Sequence, residues 1–262
     1  MDLGLTGKVA IVTGGSEGIG RAAAQSLGRE GAAVVVCARR ADVLQKAADD
    51  IAEATGAEIV PVRADVRNSQ DVDRLVQGAV ERFGRLDILV NNAGTSAAAA
   101  FESVTDEAWQ ADLDLKLFGA IRATRAAVRH LRTAGGGSIV NILNIGAKQP
   151  GARSVPTSVS RAAGMALMKA LSKELAADNI RVNAINIGLI KSGQHERRWQ
   201  ASGSPGTLEE FYEENARRSG IPLGRVGEAE EVGDLIAFLC SARGAYISGV
   251  SINMDGGLSA VV

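Results

Sequence analysis

The chain has 262 residues and a net charge of −1; 46% of its residues are hydrophobic but only 3% are aromatic. That length supports one large α/β domain with a core of Ala, Val, Ile and Leu. The scattered basic residues and near-neutral charge exclude electrostatic steering toward nucleic acid or an anionic membrane surface.

The chain enters "KVAIVTGG" without a charged-then-apolar leader, and no apolar run is long enough to span a bilayer, so a cytoplasmic protein is expected. Cys37 and Cys240 sit in apolar surroundings typical of buried thiols, which suits a reducing compartment. His130 and His195 lie far apart in sequence, and no Cys/His spacing suggests a metal.

Six short apolar runs punctuate the chain at residues 9–13, 33–38, 58–64, 86–90, 138–143 and 180–187. Runs this continuous suit strands of a parallel sheet covered on both faces. Helical patterns lie between them. Val72, Leu75, Val76, Ala79, Val80 and Phe83 make one stripe, and Val232, Leu235, Ile236, Leu239 and Cys240 another. The alternation predicts one doubly wound domain of Rossmann type spanning residues 1–262.

The first run opens into "TGGSEGIG" at residues 13–20. Its glycines Gly14, Gly18 and Gly20 are expected to let the backbone turn and approach a phosphate, which the following helix N-terminus would receive. Ser16, Glu17 and Ile19 belong to the same turn. The second run ends in Arg39 and Arg40. A guanidinium pairs with phosphate through two parallel hydrogen bonds, so NADP(H) is favoured over NAD(H). Glu17 argues the other way, because it stands where a basic residue would help.

Residues 191–227 are irregular, with the breaker "ASGSPG" at 201–206 between two short helical patterns. Thr207 and Glu210 form a capping box for the second. The segment reads as a small helical flap. Its Trp199, Phe211 and Tyr212 either anchor it to the body or close an apolar face over a ligand.

"TGGSEGIG", Asp65 after the third run, "NNAG" at 91–94 and "IRVNAIN" at 180–186 together resemble the short-chain dehydrogenase/reductase family. The likeness runs from about residue 5 to about residue 257. It implies a seven-stranded parallel sheet with helices on both faces, and a homo-oligomer, either tetramer or dimer. It places Asp65 on the adenine amino group, Asn91 in the cofactor groove and Ser192 on the nicotinamide carboxamide. Val66, Ala93, Gly94, Gly188 and Ile190 are the other expected cofactor contacts.

The resemblance also implies a catalytic Ser, Tyr, Lys and Asn. Matching the flanking motifs puts those positions at Asn144, Thr157, Arg161 and Lys116. A threonine hydroxyl is a far weaker acid than a phenol of pKa about 10. Arg161 can hold positive charge and a ribose hydroxyl, while Asn144 keeps an amide donor. Lys116, if buried, would have a lowered pKa and serve as general acid; paired with an acid such as Asp114, it would not. Tyr246 lies in the C-terminal segment, where the family packs an aromatic.

Three functional readings stay open. One is a reductase of a carbonyl or an activated C=C with rebuilt proton transfer; "PTSVSR" is similar to the tyrosine-free motif of dienoyl-CoA reductases. The second is a cofactor-binding sensor or subunit without turnover. The third is a non-redox enzyme on the same scaffold. Trp199, Phe211 and Tyr212 hint at an apolar or aromatic ligand, and Lys148, Arg153 and Arg161 at an anionic group.

Overall fold

A computed structural model describes residues 2–203 and 206–262; Ser204 and Pro205, in the expected breaker, lie outside the described residues. Seven strands make one parallel sheet: β1 (Val9–Thr13), β2 (Ala33–Ala38), β3 (Ile59–Arg63), β4 (Ile88–Asn91), β5 (Gly137–Asn144), β6 (Ile180–Ile187) and β7 (Ser251–Met254). Their order is β3-β2-β1-β4-β5-β6-β7. The order reverses between β1 and β4, and in an open parallel sheet the crevice at the carboxyl ends beside such a reversal is where ligands bind.

Helices cover both faces. α1 (Gly18–Arg29), α2 (Ala41–Thr55) and α9 (Ala229–Cys240) pack on one face, burying Leu27, Leu44, Ile51, Val232 and Ile236 against Val12, Val34 and Val90. α3 (Ser69–Phe83), α5 (Gly119–Thr133) and α6 (Thr157–Glu174) pack on the other, burying Leu75, Leu131 and Met168 against Ile11, Leu89 and Ile139. Alternate strand residues serve the two clusters, which is why the strands read as unbroken apolar runs. Among the described residues no helix is long and apolar enough to cross a membrane.

α4 (Asp106–Leu113) does not pass regularly into α5. Residues Asp114–Phe118 form a π-helical turn between them. Such turns insert an extra residue and re-aim the side chains around them. Gly119 permits the resulting close approach, since a Cβ there would lie 2.9 Å from Val66 Cγ2.

The flap consists of α7 (Gly193–Ser202) and α8 (Leu208–Ser219). Thr207 and Glu210 make the expected capping box on α8. Tyr212, Ala216, Ile221 and Val226 form a separate small core, with Phe211 packed against it. Tyr212 and Phe211 therefore anchor the flap. Tyr246 is fully exposed, contrary to the expected packed aromatic.

Candidate active site at the carboxyl edge of the sheet

A cleft of about 600 Å³ opens at the carboxyl ends of the strands, a size suited to a cofactor or drug-sized ligand. Gly14, Ser16, Glu17, Gly18 and Ile19 line it from the glycine turn, and Arg39 and Arg40 from the end of β2. Asp65 and Val66 follow β3, Ala93 and Gly94 follow β4, and Gly188, Ile190 and Ser192 follow β6. Asn144, Thr157 and Arg161 lie at its inner end. These residues follow the carboxyl ends of β1 to β6 or lie on α6, and they meet because the strands are parallel.

Two residues expected to contact cofactor do not line this cleft. Gly20 does not line the cleft; a Cβ there would stand 2.1 Å from Gly14 O, so this glycine serves close packing of helix against turn. Asn91 is buried and turned into the sheet, donating to Thr124 Oγ1 at 3.1 Å and Asn141 Oδ1 at 2.9 Å. Its neighbour Asn92 lines the cleft instead. Asn92 Nδ2 donates to Thr13 O at 2.9 Å and Gly14 O at 3.1 Å, bracing the glycine turn.

The turn suits a pyrophosphate. Gly14 and Gly18 have φ of +68° and +53°, a region that costs other residues strain. The Glu17 side chain makes no cap on α1, which leaves the first helix N–H groups open toward the cleft. A dinucleotide therefore fits the residues present.

At the adenosine end the charges are distributed unequally. Glu17 binds Arg40 at 2.8 Å and Arg197 of the flap at 3.4 Å. Arg39 makes no ion pair among the described residues. Both carboxylate oxygens of Asp65 are engaged by Arg67, whose guanidinium holds Asp65 below the usual carboxylate range.

At the inner end the side chains form one buried network. Lys116, on the π-helical turn, is not on the cleft wall; its side chain is 1% exposed. Its Nζ donates to Asp112 Oδ1 and, at 2.8 Å, to Thr157 Oγ1. The acid beside Lys116 is thus Asp112, whereas Asp114 pairs with Arg122 at 2.7 Å. Ser160 Oγ donates to Asp112 Oδ2 at 2.7 Å. Ala97 N donates to Thr157 Oγ1 at 3.0 Å.

Burial lowers the Lys116 pKa to about 8, against the pull of Asp112 and with help from the positive charge of Arg161. Burial likewise brings Arg161 down to about 10. Arg161 Nη1 donates to Ile142 O at 2.7 Å, and its Nη2 would be 2.6 Å from a Cβ on Gly94. Glycine at 94 leaves the guanidinium room in this position. Asn144 Oδ1 is buried without a hydrogen-bond partner among the described residues.

Gln194 and His195 bring flap side chains to the cleft. Gln194 Oε1 accepts from Ser96 N at 3.2 Å, tying the flap to the loop after β4. Burial, helped by the nearby charge of Arg198, lowers the His195 pKa. Trp199, Phe211 and Tyr212 are absent from the cleft wall, which removes the apolar-ligand argument. Lys148 is spent on Ser251 O at 2.6 Å, and Arg153 is exposed away from the cleft. Of the three cations read as an anion site, only Arg161 is there.

A parallel sheet in this order, a glycine turn at the switch point and a cleft along its carboxyl edge define a dinucleotide-binding α/β protein. Comparison with known proteins narrows the class. Residues 14–259 match the family model described as Enoyl-(Acyl carrier protein) reductase. An uncharacterised oxidoreductase of Methylorubrum extorquens is 37% identical over 97% of this chain and 98% of its own. The 3-oxoacyl-[acyl-carrier-protein] reductase FabG of Thermotoga maritima is 33% identical, covering 97% and 98%.

Among solved structures, L-sorbose reductase of Gluconobacter frateurii, complexed with NADPH and L-sorbose, superposes with a TM-score of 0.95 at 36% identity over 100% of both chains. An NADPH-bound short-chain oxidoreductase of Pseudomonas aeruginosa PAO1, described as containing an atypical catalytic center, gives 0.91 at 37% identity over 97% and 98%. The chain belongs to the short-chain dehydrogenase/reductase family.

Proposed function

We propose that this protein is an NADP(H)-dependent reductase of small polar carbonyl compounds, polyhydroxylated ketones foremost, in which Thr157 and Lys116 together take the place of a catalytic phenol. The observation that carries the reading is the environment of Thr157 Oγ1. It accepts from Lys116 Nζ at 2.8 Å and from Ala97 N at 3.0 Å. A hydroxyl has two acceptor sites and one proton. With both sites used, the proton of Thr157 is left to donate into the cleft that it lines.

NADPH, when bound, supplies the hydride that adds to the carbonyl carbon. Thr157 O–H gives its proton to the carbonyl oxygen while Thr157 Oγ1 takes one from Lys116 Nζ. The N–H bond that breaks belongs to the ammonium, so the acid consumed has a pKa of about 8, far below that of an alcohol. Lys116 ends neutral and is recharged from solvent. Asn144 donates its amide N–H to the same oxygen, and Arg161 supplies positive charge where negative charge develops. Gly14, Gly18 and the open N-terminus of α1 would hold the pyrophosphate, and Arg39 the 2′-phosphate.

The choice of a polar substrate rests on the inner wall, where Ser96, Asn144, Gln194 and His195 line the cleft. It is supported by the likeness to an enzyme solved with L-sorbose. The test is NADPH oxidation against ketoses, 3-oxoacyl thioesters and 2-enoyl thioesters. Turnover confined to ketoses supports the reading; turnover of thioesters alone replaces the substrate class. Tight NADPH binding with no turnover of any acceptor would favour a cofactor-binding sensor.

A further inference from the structure

Asp112 has a place in the site that no catalytic role above assigns to it. It sits on α4, one turn before Lys116, and its side chain is only 2% exposed. Both of its oxygens are used: Oδ1 accepts from Lys116 Nζ, and Oδ2 accepts from Ser160 Oγ at 2.7 Å. Ser160 is itself buried on α6, and its one hydroxyl proton lies between Asp112 Oδ2 and, at the longer distance of 3.0 Å, Thr157 O, so the carboxylate is the nearer acceptor. The carboxylate is therefore clamped between two elements, α4 and α6, with one oxygen aimed at the lysine.

The charge count explains why a clamp is needed. Lys116 and Arg161 are two cations buried in one place, and the charged groups facing Lys116 are Asp112 from α4 and Arg161 from α6. Desolvation and the guanidinium both drive Lys116 toward the neutral amine, and only the carboxylate opposes them. A neutral amine has no proton to pass to Thr157. The geometry matters as well as the charge, because the π-helical turn at Asp114–Phe118 sets the azimuth of Lys116. With Asp112 holding one N–H, another is directed at Thr157 Oγ1.

We propose that Asp112, oriented by Ser160, is the positioning residue that keeps Lys116 charged and aimed at Thr157. The inference rests on the relay proposed above, but its test is independent of turnover.

The experiment is an NMR titration of the full-length, ¹³C,¹⁵N-labelled protein, following the Lys116 Cε/Nζ and Asp112 Cγ signals. The expected result for the native protein is a Lys116 midpoint near pH 8, with the Asp112 signal moving at the same midpoint. In Asp112→Asn the Lys116 midpoint falls by about one to three pH units, the size expected for loss of an adjacent opposite charge. The alkaline limb of the pH–rate profile shifts in the same direction, while NADPH affinity stays unchanged. A purely structural carboxylate would lower stability and leave that midpoint in place.

An unchanged midpoint in Asp112→Asn overturns the proposal. If that variant does not fold, an Asp112 signal in the native protein that ignores the Lys116 titration overturns it equally. Absence of turnover in the native protein removes the reductase reading alone, since the titration still decides the role of Asp112.

Discussion

Thr157 Oγ1 stands 2.8 Å from Lys116 Nζ across the gap between α6 and the π-helical turn, and both side chains are buried. In the proposed relay this contact makes one acid of two weak candidates. A lone threonine is no stronger an acid than the alcohol being formed, and a lysine that is 1% exposed does not reach a substrate in the cleft. In the proposed relay, Thr157 presents the proton at the cleft and Lys116, its pKa lowered to about 8, stands behind it.

The lysine is expected to matter for stability as well as for rate. Lys116→Met leaves Asp112 as a buried charge without its cation, a change that costs about 3–5 kcal/mol. Ser160 Oγ keeps a second acceptor, Thr157 O at 3.0 Å, whatever becomes of Asp112. The double variant Asp112→Leu with Lys116→Met should therefore recover most of the lost stability and none of the activity. Urea unfolding of the three proteins checks the first part and NADPH oxidation the second.

The pH dependence follows from the lowered lysine pKa. Carbonyl reduction needs charged Lys116, so its rate should fall as pH rises through about 8. Stability should move the other way. The ordinary value is 10.5, so between about 8 and 10.5 the unfolded chain binds more protons than the folded one. This group's burial penalty is present in full below that window and relieved as pH rises across it. Lys116→Met should show neither effect, as read from pH–rate profiles and from denaturation at each pH.

Cofactor discrimination should rest on Arg39 rather than Arg40, because Glu17 already neutralises Arg40 at 2.8 Å. Arg39→Ala is expected to weaken NADPH binding about 10- to 100-fold, the value of a charge-assisted hydrogen bond, and to leave NADH binding unchanged. Arg40→Ala should have a smaller effect. Fluorescence titration with both nucleotides distinguishes the two.

All six strands expected from sequence are present within two residues at each end, and the reason is physical. A sheet covered on both faces needs apolar side chains at every position, so its strands stand out against amphipathic helices. β7 has no such signal: Ser251, Ile252, Asn253 and Met254 at the sheet edge are all only partly buried, and only family resemblance implied a seventh strand.

The cofactor side of the site was legible because glycine turns and strand ends occur in chain order. The errors there were local. Asn91 and Asn92 are identical in chemistry, and only strand direction at the end of β4 decides which of them faces the cleft. The proton side was half legible. Lys116 and Thr157 both stand out in the sequence, yet their contact depends on a π-helical turn that has no sequence signature. Asp112 and Ser160 were missed for the same reason: nothing in a heptad or a motif says that these two buried residues meet. For Phe211 and Tyr212, burial in a small separate core and contact with a ligand leave the same trace in a sequence.

The most direct test is the rate of NADPH oxidation with a ketose for the native protein and Thr157→Val, measured alongside NADPH affinity. The account predicts turnover by the native protein, a loss of about 10²- to 10⁴-fold in kcat on removing the hydroxyl, and no change in NADPH affinity. A Thr157→Val variant that turns over as fast as the native protein would contradict it, because the proton would then be arriving by another route.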